Sequence, residues 1–269
     1  MKIIKKILSV CVAFTLCFTF VSMNISAECT PFEQKRNYLL SLGTPEELLA
    51  EMLPERLEEV YNSVIENLID GQTVEFGEYK TESGLSDVMT RGQIPSDQFT
   101  ITTYNYVYST NNLLNYVSVF FDWDWKIAPM NQKTDGLSVN WNASVFSYKP
   151  NSLISRTFFH SDYDAVHPVD YYETYATVLN FAEAGQGSGA WKQPLGKFGH
   201  NRGSGLLLLV PNAAMSKTGY TRSQFNIEYS HDKNPLPGDF LSFSFKAGVV
   251  SISSGLLVDK LSATTNIIY

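Results

Sequence analysis

The stretch FTITTYNYVYSTNNLLNYVSVFFDWDW, residues 99–125, decides how this chain folds. Tyr104, Tyr106 and Tyr108 recur at every second position, and so do Val117, Val119, Phe121, Trp123 and Trp125. A period of two sends successive side chains to opposite faces of a strand, so both runs read as half-buried β-strands. Further strands are predicted over 137–145, 153–160, 171–181, 206–210, 225–229, 240–245 and 249–269. Turn chemistry separates several of them: Ala128-Pro129, Lys149-Pro150-Asn151 and Asn234-Pro235-Leu236-Pro237-Gly238. Eight or more short strands with no helices between them imply a mainly β chain, an antiparallel β-sandwich. No internal repeat is visible.

Upstream, the period changes. Thr44-Pro45-Glu46-Glu47 combines a Thr cap, a first-turn Pro and an early Glu, a helix start. Leu48, Leu49, Met52 and Leu53 then form one face. Pro54 opens a second helix, in which Leu57, Val60, Tyr61, Val64, Ile65 and Leu68 recur at helical spacing with Glu58, Glu59, Glu66 and Asp70 opposite, and Gly71 is a stop. The chain therefore divides into residues 1–27, an acidic helical segment and linker over 28–90, and a β-sandwich domain over 91–269.

Residues 1–27 read as a secretion signal: Lys2, Lys5 and Lys6 precede an uncharged run from Ile7 to Val21, too short to span a bilayer, and Ser26-Ala27 supplies small residues before a cut. The expectation is a secreted, extracellular protein with no stable membrane anchor. The full chain has 20 Lys+Arg and 27 Asp+Glu, net −7; losing three lysines and no acid takes it to −10. Nucleic acid is a poor partner for such a surface. Cys11 and Cys17 leave with the signal, so Cys29 stands alone and no internal disulfide can form. Stability must then come from core burial or bound ions. Residues 28–90 hold 14 acids and 4 bases, whereas 91–269 hold 13 of each, so the excess charge lies in the helical segment.

Three constellations carry candidate chemistry. His160, Asp162, Asp164 and His167 gather two imidazoles and two carboxylates within eight positions, a candidate divalent-cation site; no other cofactor is expected. Asp122-Trp123-Asp124-Trp125 puts both carboxylates on one face and both indoles on the other. The carboxylates lie roughly 7 Å apart along the strand, near glycosidase separations, although two wet Asp backed by two core Trp give the same pattern. Residues 185–205 carry 7 of the 17 glycines, with Trp191, Lys192, Lys197, Phe198, His200 and Arg202, and 184–227 contain five bases and no acid. They read as a long, electropositive loop with exposed aromatics, a candidate binding surface. The acidic helices can dock over it or cap a sheet edge. No Gly-x-Ser-x-Gly elbow is present.

The leader, the Leu42-Gly43-Thr44-Pro45-Glu46-Glu47-Leu48-Leu49 opening and the cysteine-poor, aromatic-rich β body resemble secreted β-rich proteins of Gram-positive, gut clostridial-type anaerobes. Some secreted proteins of such bacteria are immunoglobulin-binding superantigens, which implies an extracellular protein partner, host immunoglobulin among them. The resemblance brings no binding residues with it. The sequence thus favours a secreted, non-catalytic binding protein that engages a host or neighbouring-cell protein. The alternative is a carbohydrate-binding module or glycan hydrolase, with Trp123, Trp125, Trp141 and Trp191 as stacking platforms. A lesser alternative is a pore-forming protein, because Ser242-Phe243-Ser244-Phe245 and residues 249–254 alternate Ser with apolar residues as membrane-inserting hairpins do.

Overall fold

A computed structural model describes residues 30–83, 94–95, 97–129, 134–160, 171–173, 187–195, 200–233, 242–246, 249–253 and 258–269. The signal-peptide reading lies outside them. Strands dominate, in two antiparallel sheets, which bears out the sandwich. The larger sheet has the order β1 (Thr73–Ser83), β2 (Phe99–Thr110), β3 (Leu113–Trp125), β9 (His200–Pro211), β6 (Ile154–His160), β7 (Tyr171–Glu173), with β5 (Phe146–Tyr148) also on β9. The smaller has the order β13 (Val258–Ile268), β10 (Arg222–Asp232), β4 (Thr134–Trp141), β8 (Ser188–Pro194). A separate hairpin pairs β11 (Ser242–Lys246) with β12 (Val249–Ser253), so that Ser242 and Ser244 lie opposite Ser253 and Ser251, and Phe243 and Phe245 opposite Ile252 and Val250.

The helices form a third layer rather than a cap on an edge. They are α1 (Pro31–Ser41), α2 (Glu46–Glu51) and α3 (Pro54–Glu66). Leu39, Leu48, Leu49, Leu57, Val60 and Val64 pack with Tyr104, Tyr106, Tyr108, Phe120, Leu206 and Leu208 in one buried cluster. The alternate residues of the same strands, among them Phe99, Val117, Phe121, Trp123, Trp125, Leu207 and Leu209, join Leu137, Val139, Trp191, Phe225, Ile227 and Tyr229 between the sheets. The central strands of the large sheet are therefore buried on both faces, not half-buried. Double burial also accounts for the unbroken Leu206-Leu207-Leu208-Leu209 run.

Other local differences have physical reasons. The segment read as helix and linker contains β1, paired with β2 along its length. The Thr44 hydroxyl does not cap α2; it lies 2.9 Å from the buried Tyr106 hydroxyl, a tertiary bond that replaces the local one. Asn111 and Asn112, both at positive φ, turn the β2–β3 hairpin. Residues 188–194 and 200–205, read as part of a loop, lie in strands β8 and β9, the latter continuing through the strand read at 206–210.

Gly205 sits where the two cores need a bare backbone: a Cβ there would lie 2.0 Å from Cζ of Phe121 and 2.8 Å from the Ile154 carbonyl oxygen. Gly205→Ala is expected to lower stability by about 1–3 kcal/mol, the usual range for overpacking, read as a lower midpoint in thermal unfolding. An unchanged midpoint would show that the Phe121 ring moves aside freely.

Candidate functional site

Helix α3 is bolted to the large sheet by a residue inside its own apolar stripe. Arg56 stands four positions before Val60 and eight before Val64 and, like them, is buried. Its Nε lies 2.7 Å from Oδ1 of Asp122, and Nη1 donates to Oε2 of Glu59 at 2.8 Å. Nη2 donates to the backbone carbonyls of Phe121 and Gly205 at 3.3 and 3.1 Å. Glu59 also binds Arg156 of β6 at 2.8 Å. Burial works against charge on Arg56, but Asp122 and Glu59 outweigh it and hold the guanidinium above its ordinary pKa. Burial pushes the Asp122 carboxyl up, while Arg56 and the Tyr104 hydroxyl pull it back.

Beside this bolt, at the end of the sheet opposite the Asn111-Asn112 turn, a cleft of about 510 Å³ opens between the helices and the strands. Its floor follows from strand register. One cross-strand row runs Ser83, Thr100, Asp124, Arg202, and the next runs Thr81, Thr102, Asp122, Ser204. The roof is Leu48, Glu51, Met52, Leu53 and Glu55. Asp122 and Asp124 share a face, as the alternation predicts, and Trp123 and Trp125 fill the core behind them. Asp122 is committed to Arg56, so the two carboxylates do not form the freely titrating pair that glycoside hydrolysis uses.

All four tryptophans are buried: Trp123, Trp125, Trp141 and Trp191 are 1, 2, 8 and 2% exposed. The stacking platforms of the carbohydrate reading are thus part of the core. Trp191 lies on β8 facing the large sheet, where its indole N–H donates to the Ser155 hydroxyl and to Oε1 of Gln193, both at 3.1 Å. Lys192, its neighbour, is exposed. His200 and Arg202 open β9 in the larger sheet, whereas Trp191 lies on β8 of the smaller one. Lys197 and Phe198 lie outside the described residues, as do Asp162, Asp164 and His167 of the cation site. His160 closes β6, paired in register with His200. Among the described residues no cluster of three or more His, Cys, Asp or Glu could hold a metal ion.

His231 and Asp232 end β10. His231 Nδ1 lies 2.9 Å from Oδ1 of the fully buried Asp135. The Tyr229 hydroxyl donates to Asp135 Oδ2 and accepts from Trp125 Nε1–H at 2.9 Å. This chain of bonds is interior and structural.

Among the described residues, five of the seven exposed large apolar side chains lie toward the other end of the molecule; Ile127 follows β3 at the cleft end and Phe32 lies on α1. Tyr220 is 90% exposed, Ile69 64%, Leu113 46%, Ile65 39% and Val210 36%. Leu113 bridges Ser216 beside the Asn111-Asn112 turn, and the Leu114 N–H donates to the Met215 carbonyl at 2.9 Å. Val210, the penultimate residue of β9, follows the Val117–Leu209 pair, Tyr220 precedes β10, and Ile69 precedes β1, whose Thr73 pairs with Ser109. All three layers contribute. Sequence reasoning missed these residues because single apolar positions in turns carry no period; the Asn111-Asn112-Leu113 and Gly219-Tyr220 steps were the only signals.

Among the described residues no helix is long and apolar enough to cross a membrane. No family model and no curated protein matches the chain. Among solved structures it is similar to the collagen-binding domain from a Staphylococcus aureus adhesin, at 9% identity and TM-score 0.25, over 66% of this chain and 98% of that one. The collagen adhesin from S. aureus matches at 7% identity and TM-score 0.27, over 75 and 82%. The enzymatically active domain of tailspike protein 4 of bacteriophage CBA120 matches at 10% and 0.21, over 54% of this chain and 20% of that one. These likenesses concern the fold alone.

Proposed function

We propose that this chain is a secreted, non-catalytic binding protein whose partner is an extracellular protein of a host or neighbouring cell. The observation that carries the reading is the apolar end: Tyr220 and Ile69 from connecting segments, and Leu113 and Val210 from strand ends, present side chains to solvent on three packed layers. Loops on a rigid scaffold are where binding residues concentrate, and grouped exposed apolar side chains on a folded surface mark interaction sites. Catalysis finds no matching support, since Asp122 is tied to Arg56 and every Trp is in the core. Immunoglobulin, the partner class implied by the sequence resemblance, is the first to test.

A pull-down with tagged residues 28–269 against secreted host proteins, immunoglobulins included, tests this directly. Tyr220→Ala is expected to weaken capture by about 30-fold, a hot-spot-sized effect, with the melting temperature unchanged because the ring supports no core contact. Capture that persists unaltered in Tyr220→Ala and Leu113→Asp would remove this end as the contact surface.

A further inference from the structure

We infer that the cleft between α2–α3 and the large sheet is a binding site for a neutral saccharide. This goes beyond the protein-binding reading and stands on different residues at the opposite end of the molecule. The indole platforms expected from sequence play no part in it.

The floor is a grid of hydrogen-bonding groups at strand spacing, roughly 4.8 Å between neighbours in a row. Asp124 can only accept, Arg202 can only donate, and Thr100 and Ser83 can do either, while the Thr102 hydroxyl bonds Thr81 and the Ser204 hydroxyl donates to Glu59 and each keeps further accepting capacity. A saccharide hydroxyl is both donor and acceptor, so adjacent hydroxyls on a ring can donate to Asp124 while accepting from Arg202. Among the described residues Asp124 and Arg202, although direct cross-strand partners, are not ion-paired with each other or with any other residue. Among the described residues, nothing takes up their side-chain hydrogen-bonding capacity.

Charge selects against anionic ligands. Arg56 and Arg156 balance Asp122 and Glu59 through the pairs already described. The remaining groups around the cleft are Lys126 and Arg202 against Asp124, Glu51 and Glu55. Among the described residues two bases face three acids, a net charge of −1, so a phosphate or a sulfated glycan gains nothing on entry. Leu48, Met52 and Leu53 give the roof the apolar character that suits the C–H face of a sugar ring.

The test is an array of neutral glycans built from hexoses and N-acetylhexosamines, with a sialylated and sulfated set and an extended-peptide library alongside, probed with the whole chain. Saturable binding to neutral glycans is expected, falling by about ten-fold or more in Asp124→Ala and in Arg202→Ala with unchanged melting temperatures. Tyr220→Ala and Lys192→Ala, which lie elsewhere, should bind as the parent does, and this separates the site from the protein-binding end. The inference is overturned if neutral glycans are ignored, if only anionic glycans or peptides are held, or if the two cleft variants bind glycan as well as the parent.

Discussion

Arg56→Ala is expected to lower the unfolding free energy by about 3–5 kcal/mol, the range for removing one partner of a buried ion pair. The loss is not the attraction between Arg56 and Asp122. It comes from leaving Asp122, 26% exposed, beneath the helix without its cation and Glu59, 14% exposed, with Arg156 alone, along with the carbonyls of Phe121 and Gly205 that Nη2 served. Two comparisons separate this account from simple loss of packing. In an Arg56→Met background, Asp122→Asn should restore part of the deficit by removing the stranded charge, whereas a packing effect would be indifferent to it. The deficit should also shrink in acid. Burial already raises the Asp122 carboxyl in the parent, and losing Arg56 raises it further. An acid whose folded pKa lies above its unfolded value favours folding below the unfolded pKa and loses that contribution as pH rises through the folded one. Urea unfolding of parent and variant at neutral and mildly acidic pH reads both effects. A loss below about 1 kcal/mol, the ceiling for exposed pairs, would mean that the bolt is solvated and holds nothing.

The same variant bears on whether the acidic segment can be shed. Its helices bury Leu39, Leu48, Leu49, Leu57, Val60 and Val64 against Tyr104, Tyr106, Tyr108 and Phe120. A chain without them would expose an aromatic sheet face, and one cooperative transition is the corresponding outcome in urea.

The sandwich was legible because the residues facing between the sheets alternate. Phe121, Trp123 and Trp125 point to one core and Asp122 and Asp124 to the cleft, as a period of two requires. The third layer was less legible. Tyr104, Tyr106 and Tyr108 alternate with Asn105 and Val107, and a tyrosine row reads as a wet face as readily as one under helices, since each hydroxyl can find a partner in either place. Only Arg56, at the helical stripe of Val60 and Val64, signalled that the helix face met a charged group. The cleft was half visible: Asp122, Asp124 and Arg202 were singled out, but from two separate segments. What joined them was the β3–β9 register, a long-range pairing that local pattern does not encode. The glycine-rich stretch misled for a related reason. Gly203 and Gly205 are not loop hinges; they make room in a strand for Trp123 and Phe121.

Asp135→Ala is expected to be as damaging as loss of Arg56, about 3–5 kcal/mol, since each buried donor left without its acceptor costs about 1–3 kcal/mol. Asp135 has no exposed surface. Its carboxylate accepts from the Tyr229 hydroxyl, from His231 Nδ1 and, at 3.2 Å, from the Asp232 backbone N–H. Trp125 Nε1–H rests in turn on the Tyr229 oxygen. Removing the carboxylate strands several donors at once in a region sealed by Phe99, Trp123 and Trp125. Asp135→Asn should recover little, because its amide N–H₂ faces groups that are themselves donating. Burial, reinforced by the Asp135 charge, pushes the Tyr229 hydroxyl well up, so Tyr229 remains a donor across the accessible pH range. The Tyr229→Phe change removes one donor and is the milder lesion, so the double variant Asp135→Asn/Tyr229→Phe should be less than additive. Chemical denaturation gives the energies, and the emission of Trp125, within 4.9 Å of the His231 ring centroid, reports locally on the network. Additive losses with unaltered emission would show that these bonds act separately and that the core holds its shape without them.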